Sequence, residues 1–228
     1  MQLNDEQKVP AKSEDADADK DTGRVEAFSD GVFAVAITLL ILNIHGPDSN
    51  PPPIDSELLK YLGSEWATFL AFITSFATIG IMWINHHRLF THIKRVDTKL
   101  LVFNLLLLLV IVFIPFPTVL LAQYAPYPQY HYAALLYSAT NVLLAVCFNL
   151  VWRYASRENR LLDRRSDPRQ VQAITDQYRF GPLFYVATFV LAIIYVPASI
   201  VGNLLLALFF AFPGRQSGSA PSREPDAR

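Results

Sequence analysis

The sequence predicts an all-α integral membrane protein with six transmembrane helices. Of its 228 residues, 52% are hydrophobic, which exceeds the roughly 45–50% that is typical of soluble domains. Three apolar runs, at residues 66–84, 100–121 and 133–152, are each long enough to cross a bilayer. Basic residues are concentrated in every second connection between the predicted helices, as expected for a multi-pass membrane protein.

The first predicted helix, residues 24–42, has a charged start and an apolar remainder. The apolar part, residues 31–44, would rise about 21 Å, which is less than the roughly 30 Å of a hydrocarbon core. To span, the helix must carry Arg24, Glu26 and Asp30 to the membrane boundary or into it. Such charges are costly unless they face protein or water. We therefore predict that this helix is central and lines a pore.

The second predicted helix ends in W-I-N-H-H-R, at the membrane level of the charged start of the first helix. A metal site at the two adjacent histidines is one interpretation. However, neighbouring helix positions point about 100° apart, and no further ligand spacing is visible. Hydrogen bonds to Ser29 or Asp30 are therefore the preferred interpretation.

The third and fourth predicted helices carry isolated polar and proline residues. Pro115 and Pro117 predict a kink or break at the outer end of the third helix, because proline removes a backbone donor. Asn141 and Asn149 lie inside the fourth apolar run and predict hydrogen bonds between helices.

The last two predicted helices are shorter than the others, at residues 180–196 and 200–212. Proline and glycine disfavour a continuing helix. Pro197 and Gly202-Asn203 therefore predict a tight hairpin between the two helices.

The charge distribution predicts how the chain is oriented. The connections at residues 86–99 and 153–179 are rich in Lys and Arg, whereas the connection at residues 46–59 has acidic residues and no basic one. Basic loops favour the cytoplasmic side, so both termini are expected in the cytoplasm.

Two polar tails flank the predicted membrane domain. Residues 1–22 are acidic and residues 214–228 are polar, and neither segment can bury enough apolar surface to order itself. We therefore predict a disordered tail at each end and one channel domain at residues 23–213. Anionic lipid could bind the basic segment at residues 153–179, but a role in setting the topology is the preferred interpretation.

Enzyme chemistry has no support in the sequence. It has no G-x-S-x-G, H-E-x-x-H or G-x-x-x-x-G-K-[ST] motif and no repeated C-x-x-C, and Cys147 is its single cysteine. Asp30 is the one acidic residue well inside a predicted span. A regular arginine repeat of a voltage sensor and a T-V-G-Y-G filter are also missing from the sequence.

One stripe of the first helix could surround a water path. Gly31, Val35, Thr38 and Leu42 share a narrow face of the helical wheel. In several copies around one axis, Val35 and Leu42 would form apolar rings about 10 Å apart, which block hydrated ions, and the Thr38 hydroxyl could coordinate a partly dehydrated cation. Alternatively, Thr38 bonds back to the Ala34 carbonyl and the stripe serves ordinary helix packing. The stripe alone fits about three to five copies equally well.

The motif R-V-E-A-F-S-D, with Arg24, Phe28, Ser29 and Asp30, resembles the R-x-x-x-F-S-D hallmark of the transmembrane protein 175 family. The predicted six-helix length and the W-I-N-H-H segment are also similar, so the resemblance covers most of residues 24–212. The family comprises potassium channels of endosomes and lysosomes, with prokaryotic relatives whose single-repeat chains form tetramers around the first helix. The resemblance therefore implies a homotetrameric channel that needs no cofactor and passes potassium ions.

The resemblance also assigns roles to the stripe. In the family, the gate lies five residues beyond the motif's Asp, a Thr important for cation selectivity eight beyond, and a second apolar ring twelve beyond. These positions are Val35, Thr38 and Leu42, so a permeant potassium ion is expected near Thr38. Val35 is smaller than the usual Leu or Ile. Our hypothesis is that its ring is wider or wetter, so that either the resting pore leaks or its narrowest point lies at Leu42.

The resemblance further implies a polar network on the cytoplasmic side that holds the helices in register. Its expected members are Arg24, Phe28, Ser29, Asp30, Asn85, His86 and His87. The sequence leaves open which histidine takes part.

The leading functional prediction is a potassium-preferring cation channel in a prokaryotic plasma membrane, with copies of itself and lipids as partners and no nucleic acid. Because no backbone-carbonyl filter is visible, we expect modest discrimination against sodium. The alternative is a proton- or ion-coupled secondary transporter that uses Asp30 with His86 and His87 as a relay. A non-conducting membrane scaffold is a third possibility.

Overall fold

A computed structural model of the chain describes residues 12–47, 54–124, 126–127, 129, 131–163 and 166–211, with side chains from residue 21 onward. The regular secondary structure in these ranges is helical, and the one isolated β-bridge lies between two connections. The predicted all-α fold is therefore confirmed. The nine α-helices of the described ranges are α1 Lys12–Leu39, α2 Asp55–Ser64, α3 Trp66–His92, α4 Thr98–Phe113, α5 Pro115–Tyr124, α6 Tyr132–Ser156, α7 Pro168–Arg179, α8 Gly181–Ile194 and α9 Val196–Ala211.

The chain is a multi-pass membrane protein. Five helical stretches in the described ranges are long and apolar enough to cross a bilayer: Asp21–Asn43, Trp66–His92, Thr98–Tyr124, Tyr132–Asn159 and Pro168–Ile194. The sixth apolar helix, α9, is shorter at 16 residues. It rises about 24 Å and therefore falls short of a roughly 30 Å hydrocarbon core unless its ends adapt.

Helix α1 begins earlier than the sequence predicted. Its α-helix starts at Lys12, so the second half of the predicted disordered segment 1–22 continues the helix. At the other end, the helix tightens into a 3-10 turn at Leu40–Asn43 and stops where Ile44 adopts extended backbone. Residues 1–11 and 214–228, the rest of the predicted disordered tails, lie outside the described residues.

The predicted break in the third span is confirmed. Helix α4 ends at Phe113, and Pro115 is the first residue of α5. The first N–H of a helix has no partner within the helix, so proline, which lacks this N–H, is tolerated there. Ile114, between the two helices, is 1% exposed. The two helices therefore form one span, Thr98–Tyr124, interrupted at a single buried residue.

The predicted position of the last hairpin is wrong. The chain turns at Tyr195, which has extended backbone, and α9 then runs through both Pro197 and Gly202 without interruption. Proline is tolerated in the first turn of a helix. A Cβ at Gly202 would lie 3.1 Å from Thr188 Cγ2. The glycine therefore permits close packing of α8 on α9 instead of ending a helix.

Two connections pair at one end of the bundle. Ile93, after α3, forms an antiparallel bridge with Leu162, after α6. The Lys94 and Arg95 amides donate to the Leu161 carbonyl at 2.9 and 3.2 Å. The two basic connections predicted from the sequence therefore lie together, as an alternating topology requires.

Helix α6 is the centre of the main hydrophobic core. Its residues Leu144, Val151 and Trp152 are 0–1% exposed and belong to one core cluster with buried side chains of α1, α3, α4 and α8. The Trp152 indole N–H donates to Thr175 Oγ1 at 3.0 Å, which satisfies its buried polar edge. Helix α1 lies at the periphery of this core and contacts α3 and α4.

Candidate functional site

One face of α1 is exposed along its apolar length. Gly31 and Thr38 are exposed, and Val35 and Leu42 are exposed by 55% and 65%. We call these four residues the Thr38 face. The opposite side of the helix is buried within the same chain, at residues Phe33, Ala36 and Leu40.

The backbone of α1 affects how the Thr38 face is presented. The Thr38 hydroxyl donates to the Val35 carbonyl at 2.9 Å, one residue later than the Ala34 carbonyl considered from the sequence. Leu42 lies in the 3-10 turn, where each residue advances by about 120° instead of 100°. Leu42 nevertheless remains exposed, so the turn keeps it on the outside of the chain.

A buried polar cluster joins α1 to α3 and α4. Asn104 Nδ2 donates to Ser29 Oγ at 2.9 Å, and Asn104 Oδ1 lies 3.0 Å from His86 Nε2. The Ser29 hydroxyl in turn donates to the Val25 carbonyl at 2.8 Å. We call Ser29, His86 and Asn104 the Ser29 cluster; all three are at most 2% exposed.

Aromatic rings enclose the histidine of the Ser29 cluster. The His86 ring stacks on Phe90 with centroids 4.4 Å apart and lies 5.4 Å from the Phe33 ring. With one ring nitrogen facing the Asn104 carbonyl oxygen, His86 donates there as the Nε2–H tautomer. The cluster therefore fixes the rotation of α1 about its axis, because Ser29 and Phe33 lie one turn apart on the same buried side.

A second group of polar contacts is more exposed. The Trp83 indole N–H donates to Asp30 Oδ1 at 2.8 Å, and His87 Nδ1 lies 2.6 Å from Glu26 Oε1. The Trp83 and His87 rings stack at 6.4 Å. We call Glu26, Asp30, Trp83 and His87 the Asp30 face. Its two carboxylates, Glu26 and Asp30, are half-buried and contact side chains of α3.

The remaining predicted network residues lie elsewhere. Arg24 and Phe28 are exposed and line an open groove of about 710 Å³ between α1 and the start of α4. Asn85 is 1% exposed, and its Oδ1 accepts a hydrogen bond of 3.4 Å from Arg88. Among the described residues, neither Arg24 nor Asn85 is hydrogen-bonded to Asp30. The structure therefore brings the predicted residues to one end of α1 and α3 but not into one network.

Three residues in these contacts were missed as functional candidates. Glu26 lies inside the R-V-E-A-F-S-D segment, Trp83 begins the W-I-N-H-H segment, and Asn104 is the one polar residue in the middle of the third apolar run. An isolated asparagine in an apolar run is the signal that could have identified the cluster, because it needs a partner inside a membrane.

The groove beside Arg24 ends at an acidic helix cap. Asp97 caps α4 by accepting from the Leu100 amide at 2.8 Å, and its second oxygen accepts from Tyr154 and Arg160. Burial opposes ionisation of the carboxyl, but the hydrogen bonds from Tyr154 and Leu100 and the nearby Arg160 outweigh it, so the pKa of Asp97 is lowered. The carboxylate thus links the start of α4 to the connection after α6.

Polar residues of the later helices form a separate buried cluster. Asn203 Nδ2 donates to Ser138 Oγ and to the Ser199 carbonyl, and Asn203 Oδ1 accepts from Asn141 at 3.1 Å and from Thr188 at 3.3 Å. We call these five residues the Asn203 cluster. The predicted interhelical hydrogen bonds of the fourth span are confirmed, for Asn149 also donates to the Tyr178 carbonyl.

Metal binding has no geometric basis in the described part of the chain. No group of three or more His, Cys, Asp or Glu side chains there could hold a metal ion. His86 and His87, the one pair considered from the sequence, are engaged with Asn104 and Glu26 respectively.

Comparisons with known proteins give one consistent result. The family described as the endosomal/lysosomal potassium channel TMEM175 matches residues 24–115. The chain is 45% identical over 197 residues to a protein of Chamaesiphon minutus named as a potassium channel, covering 86% of this chain and 97% of that protein. It is 40% identical over 208 residues to a potassium channel of Streptomyces collinus, covering 91% and 98%.

A solved structure shares the same arrangement of helices. The crystal structure of a lysosomal potassium-selective channel TMEM175 homolog from Chamaesiphon minutus superposes with a TM-score of 0.75 at 44% identity. The match covers 84% of this chain and 97% of that chain.

Proposed function

Because this chain belongs to the family of the endosomal/lysosomal potassium channel TMEM175, we propose that it is a potassium-preferring cation channel, not an enzyme, and that the Thr38 face lines its pore. Val35 and Leu42 form the apolar constrictions. Thr38 offers the hydroxyl where a permeant potassium ion is partly dehydrated. No cofactor takes part.

The observation that carries the proposal is the contrast between the two sides of α1. Phe33, Ala36 and Leu40 are at most 1% exposed, while Val35 and Leu42 are more than half exposed. A lipid-facing surface would explain the exposed apolar residues. The Thr38 hydroxyl has a partner in the Val35 carbonyl and is therefore compatible with lipid as well. The resemblance to the family, in which this side of the first helix lines the pore, favours a water path instead.

The charged end of α1 supports the same orientation. The Asp30 face places Glu26 and Asp30 next to the exposed residues of the Thr38 face, and Arg24 is exposed on the preceding turn. Charges at this depth are stable against water or protein and costly against lipid. A water path beside α1 would solvate these charges, and the apolar side chains of Val35 and Leu42 would line the same path.

A homotetramer is the assembly that we propose, as in the family. Four copies of α1 around one axis enclose the path, with lipids as the remaining partners. The paired basic connections then lie in the cytoplasm of a prokaryotic cell, with both termini on that side. The mass of the detergent-solubilised particle tests this directly: its protein part should be four times the 25.7 kDa chain.

The alternative of a coupled transporter is less well supported. A relay through Asp30 and the two histidines would need these groups to exchange protons. Asp30 is hydrogen-bonded to Trp83, His86 to Asn104 and His87 to Glu26. The three side chains therefore belong to separate contacts among the described residues.

Ion flux into proteoliposomes tests the function of Thr38. We expect Thr38→Val to reduce the preference for potassium over sodium, because it keeps the shape of the side chain and removes the hydroxyl. Thr38→Ser, which retains the hydroxyl, is the matched control and should behave like the wild type. Equal selectivity in all three proteins would remove Thr38 from the permeation path.

The constrictions are tested by changes in side-chain size. We expect Val35→Leu to lower the resting flux and Leu42→Ala to raise it, since narrower apolar rings exclude water more strongly. Ile41→Ala is the control, because Ile41 is 51% exposed in the same 3-10 turn but points about 120° away. If Leu42→Ala and Ile41→Ala have the same effect, Leu42 is not part of a gate.

The dependence of flux on gradients separates a channel from a carrier. Channel flux should rise nearly linearly with the potassium driving force and need no proton or sodium gradient. Saturating flux that depends on an imposed proton gradient would favour the coupled transporter. Absence of any potassium flux would favour a non-conducting scaffold.

A further inference from the structure

Helices α4 and α6 have exposed apolar sides that adjoin each other. The two helices pack side by side, and the Phe103 and Tyr154 rings meet between them with centroids 5.3 Å apart. On the helical wheel, Leu106 lies about 60° from Phe103, and Leu150 lies about 40° from Tyr154. Leu106 and Leu150 are 44% and 42% exposed. The two exposed sides therefore form one apolar surface along the line where the helices meet, which we call the α4–α6 strip.

Basic residues continue the α4–α6 strip at one end of the bundle. Lys99 lies two turns before Leu106 on the same side of α4, and Arg153 lies one turn after Leu150 on α6. Both basic side chains are exposed. The start of α4 and the end of α6 lie at the same end of the bundle, because the connection before α4 and the connection after α6 pair there.

The connection after α6 adds two more arginines. Arg160 Nη2 lies 3.0 Å from Asp97 Oδ2, and its guanidinium lies 5.6 Å from the centroid of the Tyr154 ring, so Arg160 is positioned at the line between the two helices. Arg157 is exposed in the same connection. The four basic residues Lys99, Arg153, Arg157 and Arg160 are called the basic patch below.

Acidic side chains neutralise only part of the basic patch. Asp97 is bonded to Arg160, and Glu158 lies 4.0 Å from Arg157 with both side chains more than 80% exposed. An ion pair that is so exposed contributes little. Within the described ranges, no ion pair engages the other two members of the patch. The adjoining connections add two basic residues and one acidic residue, which are Lys94, Arg95 and Asp163. The patch therefore keeps a net positive charge.

We propose that the α4–α6 strip binds an anionic phospholipid, with the phosphate at the basic patch and an acyl chain along Leu106 and Leu150. Lys and Arg donate charge-assisted hydrogen bonds to phosphate oxygens. Clusters of these residues at a membrane boundary attract anionic lipids. In the orientation proposed above, the lipid lies in the cytoplasmic leaflet, and only the choice of leaflet rests on that orientation.

Setting the topology does not require this arrangement. The positive-inside effect depends on how many basic residues a short loop contains. Lys99 and Arg153 instead lie in the first turn of α4 and the last turn of α6, where they continue the exposed sides of two neighbouring helices. A phosphate and an acyl chain need the charges and the apolar surface in one place, and the strip provides both.

The α4–α6 strip lies away from the face that we propose for the pore. Helix α4 contacts α1 through Asn104, which bonds Ser29, and contacts α6 through Phe103. These neighbouring residues of α4 point about 100° apart, so α4 separates the strip from α1. Lipid is therefore the expected occupant of the strip, and not the copies of α1 that surround the proposed pore.

Native mass spectrometry of the purified full chain in detergent tests the site and does not depend on ion flux. Titration with phosphatidylglycerol and with phosphatidylcholine gives a Kd for each lipid. We expect phosphatidylglycerol to bind at least about 10-fold more tightly, because its phosphate is not accompanied by a choline cation. Equal affinities for the two lipids would overturn the proposal.

The variant Lys99→Gln/Arg153→Gln tests the basic patch. Each basic residue near an anionic lipid contributes about a factor of five in affinity, so phosphatidylglycerol should bind about 10–30-fold more weakly. Its binding of phosphatidylcholine should not change. Arg153→Gln alone should weaken phosphatidylglycerol binding about 5-fold, and it provides the same test if the double variant folds poorly.

The matched control is Lys60→Gln/Arg169→Gln. It also removes one lysine and one arginine from exposed positions, but these positions are on α2 and α7, outside the strip. The control should bind phosphatidylglycerol like the wild type. Equal weakening in the two double variants would show that only the overall charge matters, and it would overturn the site.

Two further measurements identify other occupants. Glycerol phosphate has the phosphate without the acyl chains, so it should not displace phosphatidylglycerol at equal concentration; displacement would indicate a site for a soluble phosphate. The particle of Lys99→Gln/Arg153→Gln should have the same mass as the wild-type particle. A smaller particle would show that the strip contacts another copy of the chain. Either result would overturn the proposal, whereas the proposed ion conduction would stand.

Discussion

Helices α1 and α6 have nearly the same apolar character but very different surroundings. In their apolar 18-residue windows, Asp21–Asn43 has a mean hydropathy of 2.0 with 22% of the window buried in the chain, and Tyr132–Asn159 has a mean hydropathy of 1.8 with 61% buried. Helix α6 packs on several neighbours of its own chain, and α1 contacts α3 and α4. Hydropathy thus identifies membrane helices, but it does not distinguish the centre of a subunit from its edge.

The polar clusters on the two sides of the molecule show the same difference. The Asn203 cluster holds α6, α8 and α9 together through five side chains, while α1 depends on the Ser29 cluster, where one asparagine makes both links. Asn203 also makes most of the bonds in its cluster, but the Ser138–Ser199 bond does not involve it, so loss of Asn203 should cost less than loss of Asn104. The following predictions test this comparison.

The largest effect is expected for Asn104→Leu. It removes both links of the Ser29 cluster and leaves the Ser29 and His86 side chains buried without this partner. We expect a loss of about 2–4 kcal/mol in the free energy of unfolding and a smaller fraction of assembled particles. Thermal unfolding and particle mass in detergent measure these quantities. A variant that assembles and unfolds like the wild type would refute the central role of Asn104.

A smaller loss is expected for Asn203→Leu. The Ser138 and Ser199 hydroxyls remain within 3.0 Å of each other, so part of the cluster survives, and we expect about 1–3 kcal/mol. Potassium flux per assembled particle should stay at the wild-type level, unlike that of Asn104→Leu. A specific loss of flux in Asn203→Leu would show that the C-terminal half also shapes the pore.

Trp83→Phe should have a modest effect on stability. It removes the exposed hydrogen bond to Asp30, which we expect to contribute at most about 1 kcal/mol because water can replace the indole N–H. Trp66→Phe is the control, since Trp66 is on the same helix and is 52% exposed. The difference in the free energy of unfolding between the two variants, measured by thermal unfolding, should reflect the Asp30 contact alone.

The smallest effect is expected for Asp97→Asn and depends on pH. The pKa of Asp97 is lowered in the folded protein from its ordinary value of 3.8. The ionised form therefore stabilises the fold fully above that value, and the contribution is lost as the pH falls through the lower folded pKa. We expect a loss of about 0.5–1 kcal/mol at neutral pH, which disappears in more acidic solution.

The matched control for this variant is Asp55→Asn. Asp55 lies in the first turn of α2 and is exposed, and it is not the residue that caps its helix. Its substitution should change stability by less at every pH. A stability difference for Asp97→Asn that persists unchanged below pH 3.8 would contradict the assignment to the ionised carboxyl.

Much of the fold could be predicted from local features of the sequence. The lengths of the apolar runs, the break at Pro115 and the pairing tendency of Asn141 follow from the chemistry of each residue in a membrane. The hairpin was placed wrongly because Gly202 serves a close contact with Thr188 that sequence spacing does not reveal.

The identity of hydrogen-bond partners could not be predicted in the same way. The sequence indicated that Ser29, Asp30 and the two histidines lie at one membrane level. Which of them meet depends on how α3 and α4 are rotated against α1, and Asn104 and Trp83 are supplied by that packing. A rotation of one residue position, about 100°, would exchange every partner.

By itself, the sequence determined that this chain crosses a membrane several times and that its first helix is both charged and apolar, because transfer of side chains into lipid depends on each residue's own chemistry. The tertiary structure alone decided which side of that helix is covered and which polar atoms meet in the interior. Those outcomes depend on contacts between residues far apart in the chain, whose geometry is set only when the helices pack.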